Sequence, residues 1–250
     1  MTSKIETNNC RILVCGSSHV GKTSLINLLL TGNPSKTKNN GQEIIYSDKK
    51  FTFTEAKGFE LNDKGIFFNT TAERNLKNSL SRIKDGFNLV IHVIKKGSIL
   101  ETDKLNYDMI VRDLFKEKII VLCVTTFLDE EEGENLINYW KNLEVRLKKR
   151  GFNYTYGVGV CCAKSINKVL EEIYQNQRAI SYKLLWDAIL SVTYQTEKKK
   201  PTYSFLKGGY EESRLYQLCY GTASDETNGI NNSDFDVSFS KILFFILKFS

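Results

Sequence analysis

The sequence predicts an α/β domain of three layers, αβα, built around a mostly parallel six-stranded sheet and followed by a C-terminal extension. Three observations carry this. Between Arg11 and about Ile120, short β-branched apolar runs alternate with segments of helical period, which is the rhythm of strand–helix–strand crossovers. The runs 88–94 (NLVIHVI) and 119–124 (IIVLCV) are apolar throughout rather than at every second residue, as strands covered on both faces must be. The chain has 250 residues, 41% apolar and 26% charged. A chain that long buries roughly 70–75% of its unfolded surface and needs no disulfide staple. With only 2 Pro and no apolar segment of membrane-spanning length, collagenous, wholly disordered and polytopic membrane classes are excluded.

In chain order, strands are expected at 11–15, 42–47, 50–55, 88–94, 119–124 and 154–160. A helix continues from Lys22-Thr23 through SLINLLL. Thr70-Thr71-Ala72-Glu73 fits a capping box opening a helix that stops at Lys84-Asp85-Gly86. Ser98-Ile99-Leu100-Glu101 fits another, opening a helix to about Lys116. Five acids at 129–134 and four bases at 146–150 suit the two ends of a helix near 134–150, since its dipole favours acids first and bases last. The competing reading makes these runs acidic and basic binding patches. A further helical stretch, 181–193, is broken by Lys198-Lys199-Lys200-Pro201.

Composition then divides the chain into a domain at 10–194 and an extension at 195–250. Residues 220–236 are polar and turn-rich, as linkers and disordered segments are. The extension closes on an apolar run at 242–247, six residues against the roughly 20 needed to cross a bilayer. It reads as a tail packed on the domain, or as a segment meeting a membrane surface or a partner.

Net charge is +6 and is spread in alternating blocks, so no nucleic-acid partner is expected. The six Cys lack CxxC spacing, and His19 and His92 are the only histidines, which leaves no metal-ligand pattern. Three of the Cys fall in strand-like runs and read as small buried hydrophobes in a reducing compartment. The polar start, MTSKIETNNC, is unlike a secretory signal. A cytoplasmic protein follows as the default expectation, with a membrane-peripheral place if the tail meets lipid.

The strongest motif is Gly16-Ser17-Ser18-His19-Val20-Gly21-Lys22-Thr23, a gapless GxxxxGKS/T. A strand runs into its first Gly and a helix leaves from its Lys-Thr pair, the context such a phosphate-binding loop requires. Its glycines let successive backbone N–H groups turn inward onto phosphate oxygens at the positive end of the helix. Lys22 is expected to reach the β- and γ-phosphates and Thr23 to offer its hydroxyl to Mg²⁺. Residues 16–23 with Ser24 are the candidate phosphate contacts, His19 among them at a variable position that reads as a solvent-facing spacer. The expected fold is therefore that of a P-loop NTPase; the loop alone does not tell GTP from ATP, so a P-loop ATPase or kinase stays as an alternative to a G domain.

An acidic strand end of the type DxxG is expected next, and FTFTE runs into Ala56-Lys57-Gly58-Phe59. Glu55 stands where Asp is usual; one methylene longer, it still reaches a magnesium-bound water. Gly58 keeps the N–H that a γ-phosphate engages. Phe59 stands where fast GTPases carry Gln, and a phenyl ring can neither orient nor deprotonate water. No catalytic residue is assigned. Strand IIVLCV then leads into Thr125-Thr126-Phe127-Leu128-Asp129, a version of (N/T)KxD with Phe127 for Lys. A carboxylate at Asp129 accepts guanine N1–H and the 2-amino group, which adenine lacks; the alternative is a plain helix cap. Cys162-Ala163-Lys164 is similar to the SAK turn beside a guanine carbonyl, and Asn176 competes as a base contact if the last strand lies elsewhere.

In order, GSSHVGKT, EAKG, TFLD and CAK resemble the guanine-nucleotide motifs of translation-factor-like GTPases. Residues 73–118, with Gly97, Glu101, Asp103 and Phe115, are similar to the box of the avirulence-induced-gene (AIG) type G domains, the GTPases of immunity-associated proteins (GIMAP). The resemblance covers about residues 10–190. It implies GTP/GDP binding with Mg²⁺, slow or absent hydrolysis, nucleotide-dependent homo-oligomerisation through the G domain, and in some members membrane attachment through the C-terminus. The family's DTPG is reduced here to its glycine. Thr37, within the short first-switch segment between Thr31 and Gly41, stands for the γ-phosphate-sensing, metal-side threonine.

Overall fold

The computed structural model describes residues 9–32, 43–56, 61–62, 65–66, 86–97, 99–128, 133–164, 167–193 and 198–199. All six expected strands are present: β1 (Asn9–Cys15), β2 (Glu43–Tyr46), β3 (Lys49–Glu55), then, after a two-residue pair β4 (Leu61–Asn62) and β5 (Gly65–Ile66), β6 (Leu89–Lys95), β7 (Ile120–Thr126) and β8 (Tyr156–Gly159). The main sheet runs β2-β3-β1-β6-β7-β8. Its pairs are parallel except β2 with β3. That pair is a hairpin closed by Ser47 and Asp48, at φ 47° and 60°, the handedness a two-residue turn demands.

The central strands are apolar on both sides because both sides are covered. Ile12, Leu13 and Val14 of β1 are wholly buried, as are Leu89, Val90 and Ile91 of β6. On one face α1 (Lys22–Thr31) and α4 (Lys168–Thr193) pack through Leu25, Leu29, Leu185 and Ile189. On the other lie α2 (Glu101–Tyr107), the π-helical turn that prolongs it (Asp108–Leu114), and α3 (Gly133–Lys149), packing through Leu105, Ile110, Leu114, Trp140 and Leu147. The three-layer expectation is met.

Two aromatic contacts fasten the helices. Trp186 of α4 stacks on Tyr46 with ring centroids 4.1 Å apart and planes 6° from parallel, clamping the helix over the hairpin. Trp140 of α3 lies so close to β8 that a Cβ at Gly157 would stand 2.1 Å from its ring. Cys10, Cys15 and Cys123 are buried, unbridged thiols. Burial pushes Cys10 up to about 11 and Cys15 up to about 12, which leaves neither nucleophilic.

Two helix expectations need correction. The capping box at Ser98–Glu101 lies two residues early: the helix starts at Glu101 with Leu100 as its cap, and the carboxylate that accepts the cap amide belongs to Asp103, 2.9 Å away. The helix also ends at Leu114 rather than near Lys116, its last seven residues being π-helical. The stretch 181–193 is only the second half of α4, which begins at Lys168. Its first half shows solvent Val169, Leu170 and Ile173, so it has no inward apolar face from which a helix is legible. The helix read from Thr70–Glu73 and the extension beyond Lys199 lie outside the described residues. Among the described residues no helix is long and apolar enough to cross a membrane.

A candidate nucleotide-binding site

The carboxyl ends of β1, β3, β6, β7 and β8 meet at one edge of the sheet, where open α/β sheets place their ligands. From the end of β1 the chain turns through Gly16–Gly21 into α1. Gly16, at φ 141°, passes so close to β6 that a Cβ would stand 2.2 Å from the Val93 carbonyl oxygen. Gly21 caps α1 in a left-handed conformation, φ 89°. No larger residue fits the first position, and an L side chain is strained at both. His19 is exposed and Ser18 half-buried, consistent with a spacer role for the histidine.

Lys22 is buried, and its Nζ donates to the carbonyl oxygens of Gly16 at 3.1 Å and Ser17 at 2.7 Å. The ammonium thus lies within the turn of the loop, held by its backbone. The positive charge and the amino end of α1 face the same space, a combination suited to a polyanion.

Thr23 and Glu55, named separately in the sequence as metal-side residues, are brought together. The Thr23 hydroxyl is 3.0 Å and 3.1 Å from the two Glu55 carboxylate oxygens, at the exposed rim of the loop. Oxygen donors of this kind fit Mg²⁺, which takes one or two protein oxygens and keeps its waters. The Glu55 carboxylate thus meets the start of α1, while the Ala56 N–H donates to the Val14 carbonyl, 2.8 Å, and keeps the strand end in register.

The base-side segments arrive at the same edge. Thr126 donates its hydroxyl to the Val20 carbonyl at 2.6 Å and lies 3.2 Å from that of Ile94, so it fastens the phosphate loop to β6 and β7. Phe127 follows at φ 61°, left-handed and 40% exposed; its Cε2 lies beside Gly21, and Lys95 Nζ is 4.5 Å from its ring centroid. After β8, Cys161–Lys164 continue as irregular backbone. The Ala163 carbonyl accepts from Arg178 Nη1 at 2.5 Å, the Cys161 amide donates to Ser181 Oγ at 2.9 Å, and Lys164 is exposed. Asn176 lies exposed within α4, and the last strand is where it was expected, so its condition as a base contact is not met. Gly58, Thr37 and Asp129 lie outside the described residues.

Sequence reasoning missed four participants: Asp103, which accepts the Ser17 hydroxyl at 2.7 Å; Asn106 beside it; Arg178; and Ser181. None stands in a phosphate or base motif. Asp103 entered only as part of the family resemblance, and no spacing rule links residues 86 positions apart.

Residues 11–126, a little under half of the chain, match the family described as 50S ribosome-binding GTPase. No curated protein matches the chain. Among solved structures it is similar to Era in complex with MgGDPNP and nucleotides 1506–1542 of 16S ribosomal RNA, at TM-score 0.51 and 14% identity over 80% of this chain and 60% of that one. It is also similar to an Aquifex aeolicus Era variant bound to GDP·AlF4⁻ (TM-score 0.49, 15% identity, 76% of this chain and 58% of that one). A third is the FeoB G domain of Methanococcus jannaschii (TM-score 0.46, 17% identity, 75% and 99%). The chain spans about three fifths of the Era chains. The shared feature is the fold, that of a P-loop GTPase G domain.

Proposed function

We propose that this chain binds the guanine nucleotides GTP and GDP together with Mg²⁺, turns GTP over slowly, and couples the bound state to self-association as an AIG-like G domain. The observation that carries the proposal is the intact cradle: Lys22 held by the Gly16 and Ser17 carbonyls at the start of α1, with Thr23 and Glu55 converging beside it. In this reading the loop amides and Lys22 hold the phosphates, and Thr23 and Glu55 hold the metal with its waters. The metal would neutralise phosphate charge. Guanine selectivity would rest on Asp129, three positions after β7 in the sequence, and the MgGDPNP in the Era complex supports the same ligand class on this fold.

Labelled GTP competed with unlabelled GTP or ATP tests this. Preferential displacement by GTP is expected; equal displacement by ATP refutes guanine selectivity.

A second reading is a scaffold that keeps its nucleotide and never hydrolyses it. Glu55 in place of Asp and Phe59 in place of Gln favour it. Mg²⁺-dependent phosphate release that disappears in Lys22→Ala would exclude this alternative. For oligomerisation through the G domain, and for a membrane surface met by residues 242–247, the support is the family resemblance and the apolar run itself. A cytoplasmic, reducing environment suits the unbridged thiols.

A further inference from the structure

Beneath the phosphate loop lies a polar group that the motifs do not explain. Asp103 is 3% exposed, a carboxyl group buried between the sheet and α2 beside a mainly apolar cluster, with the polar Ser17 and Asn106 as its neighbours. Burial pushes its carboxyl above the ordinary range, so keeping it there opposes its own ionisation. Both oxygens are used. One accepts the Ser17 hydroxyl at 2.7 Å, and the other accepts the Leu100 amide at 2.9 Å. Asn106, 1% exposed, points its Nδ2 at Ser17 Oγ from 3.4 Å and donates to the Thr102 carbonyl at 2.7 Å.

The two ends of this bridge differ in kind. Leu100 is the cap of α2, and an amide acceptor there is needed by any helix start. Ser17 is the second residue of the phosphate loop, itself 5% exposed, and its carbonyl is one of the two that hold Lys22. One residue thus has its side chain fixed by Asp103 and its carbonyl fixed by the lysine. A fluctuation at Ser17 moves the lysine's anchor, and a shift of α2 is passed to the loop chiefly through the Asp103 carboxylate, with the longer Asn106 contact beside it. The π-helical turn that follows, Asp108–Leu114, is a rare geometry that is frequent at functional sites.

We infer that Asp103 is a positioning residue of the phosphate site, which sets the first turn of the loop through the Ser17 hydroxyl and joins loop and α2 into one mechanical unit. This rests on the reading of the loop as a polyphosphate cradle.

The test combines GDP–Mg²⁺ titration calorimetry with amide hydrogen exchange of the nucleotide-free chain for wild type, Ser17→Ala, Asp103→Ala, Asp103→Asn and the double alanine variant. Ser17→Ala and Asp103→Ala should each weaken GDP by about tenfold, and the double variant no further, because one contact is lost in all three. Asp103→Asn, whose amide oxygen still accepts from Ser17 while its NH2 faces the Leu100 amide and loses that bond, should recover part of the affinity. Ser17→Ala should speed exchange both at 16–22 and at 100–106, an effect a merely local role of the serine would not give. If Asp103→Ala does not fold, the milder Ser17→Ala decides alone through both readouts. A wild-type chain that binds GDP while Ser17→Ala changes neither affinity nor remote exchange, or while the two alanine effects add, overturns the inference. A wild-type chain that binds no GDP overturns the nucleotide reading, and the positioning role with it.

Discussion

Thr23 and Glu55, 32 residues apart in the chain, share two hydrogen-bonding distances of 3.0 and 3.1 Å between one hydroxyl and one carboxylate. The pairing joins the first turn of the helix after the phosphate loop to the end of the neighbouring strand. It sets a carboxylate and a hydroxyl, two oxygen donors, side by side at the rim of the phosphate loop.

Removing that acid should therefore separate metal from nucleotide. Glu55→Ala is expected to reduce the Mg²⁺ enhancement of GDP affinity by about tenfold or more, equivalent to at least about 1.4 kcal/mol, with little effect on folding, since the carboxylate sits at an exposed rim. Calorimetric titration of GDP in Mg²⁺ and in EDTA reads the ratio directly. An unchanged ratio would remove Glu55 from the metal side of the site.

Lys22→Ala separates ligand binding from folding in a different way. Its Nζ makes two hydrogen bonds to loop carbonyls, each worth about 0.5–1.5 kcal/mol net, so the free protein should stay folded and lose about 2–12 °C in thermal midpoint. GDP affinity should fall by about a hundredfold, because the buried ammonium is the side-chain cation inside the loop. Thermal scans with and without GDP measure both effects. Persistent GDP-dependent stabilisation in the variant would show that the lysine serves the loop rather than the ligand.

Two glycine substitutions contrast site with scaffold. Gly16→Ala would drive a methyl to 2.2 Å from the Val93 carbonyl oxygen at φ 141°, and should cost at least about 2–3 kcal/mol while abolishing binding. Gly157→Ala meets the Trp140 ring at 2.1 Å and should cost about as much. Its damage lies at the β8–α3 contact, so whatever folds should keep GDP affinity within about threefold. Urea unfolding and GDP titration together distinguish the two; equal loss of affinity in both would make the loop's geometry a property of the whole sheet.

The sheet was legible because its strands obey one rule at a time. β6 and β7 are covered on both faces and read as unbroken apolar runs; β1 stops at the glycine that its neighbour's carbonyl requires. The phosphate loop was legible for the same reason, as its constraint is local in sequence. What escaped were long-range polar contacts. Asp103 to Ser17, Arg178 to Ala163 and Thr126 to Val20 join segments 86, 15 and 106 residues apart. Each pairs ordinary residue types whose partner is set only when the layers pack. The first half of α4 escaped because helix periodicity is read from burial, and Val169, Leu170 and Ile173 are turned to solvent.

Buried histidine gives the fold a pH dependence of defined sign. His92, on β6 directly under the phosphate loop, is fully buried among Tyr107, Phe152 and Tyr154, with Nδ1 2.7 Å from the Tyr154 hydroxyl and Nε2 without a partner among the described residues. Charging the ring would protonate both nitrogens in a site that offers no second acceptor, so burial pushes its pKa from 6.5 down to about 3, with the nearby Lys22 charge acting in the same direction. Between those values the unfolded chain binds a proton that the folded chain refuses. Stability contributed by neutral His92 is therefore complete above about pH 6.5 and lost as pH falls toward 3, by up to about 1.4 kcal/mol per unit. Asp103, whose carboxyl burial pushes upward, acts with the opposite sign at the acid end and flattens the curve there. Urea midpoints should hold level from pH 7.5 to about 6.5 and then fall toward pH 4.5 in the wild-type chain, less steeply in His92→Phe, which keeps the ring stack and removes the proton site. Parallel curves for the two proteins would mean that the acid sensitivity arises elsewhere in the chain.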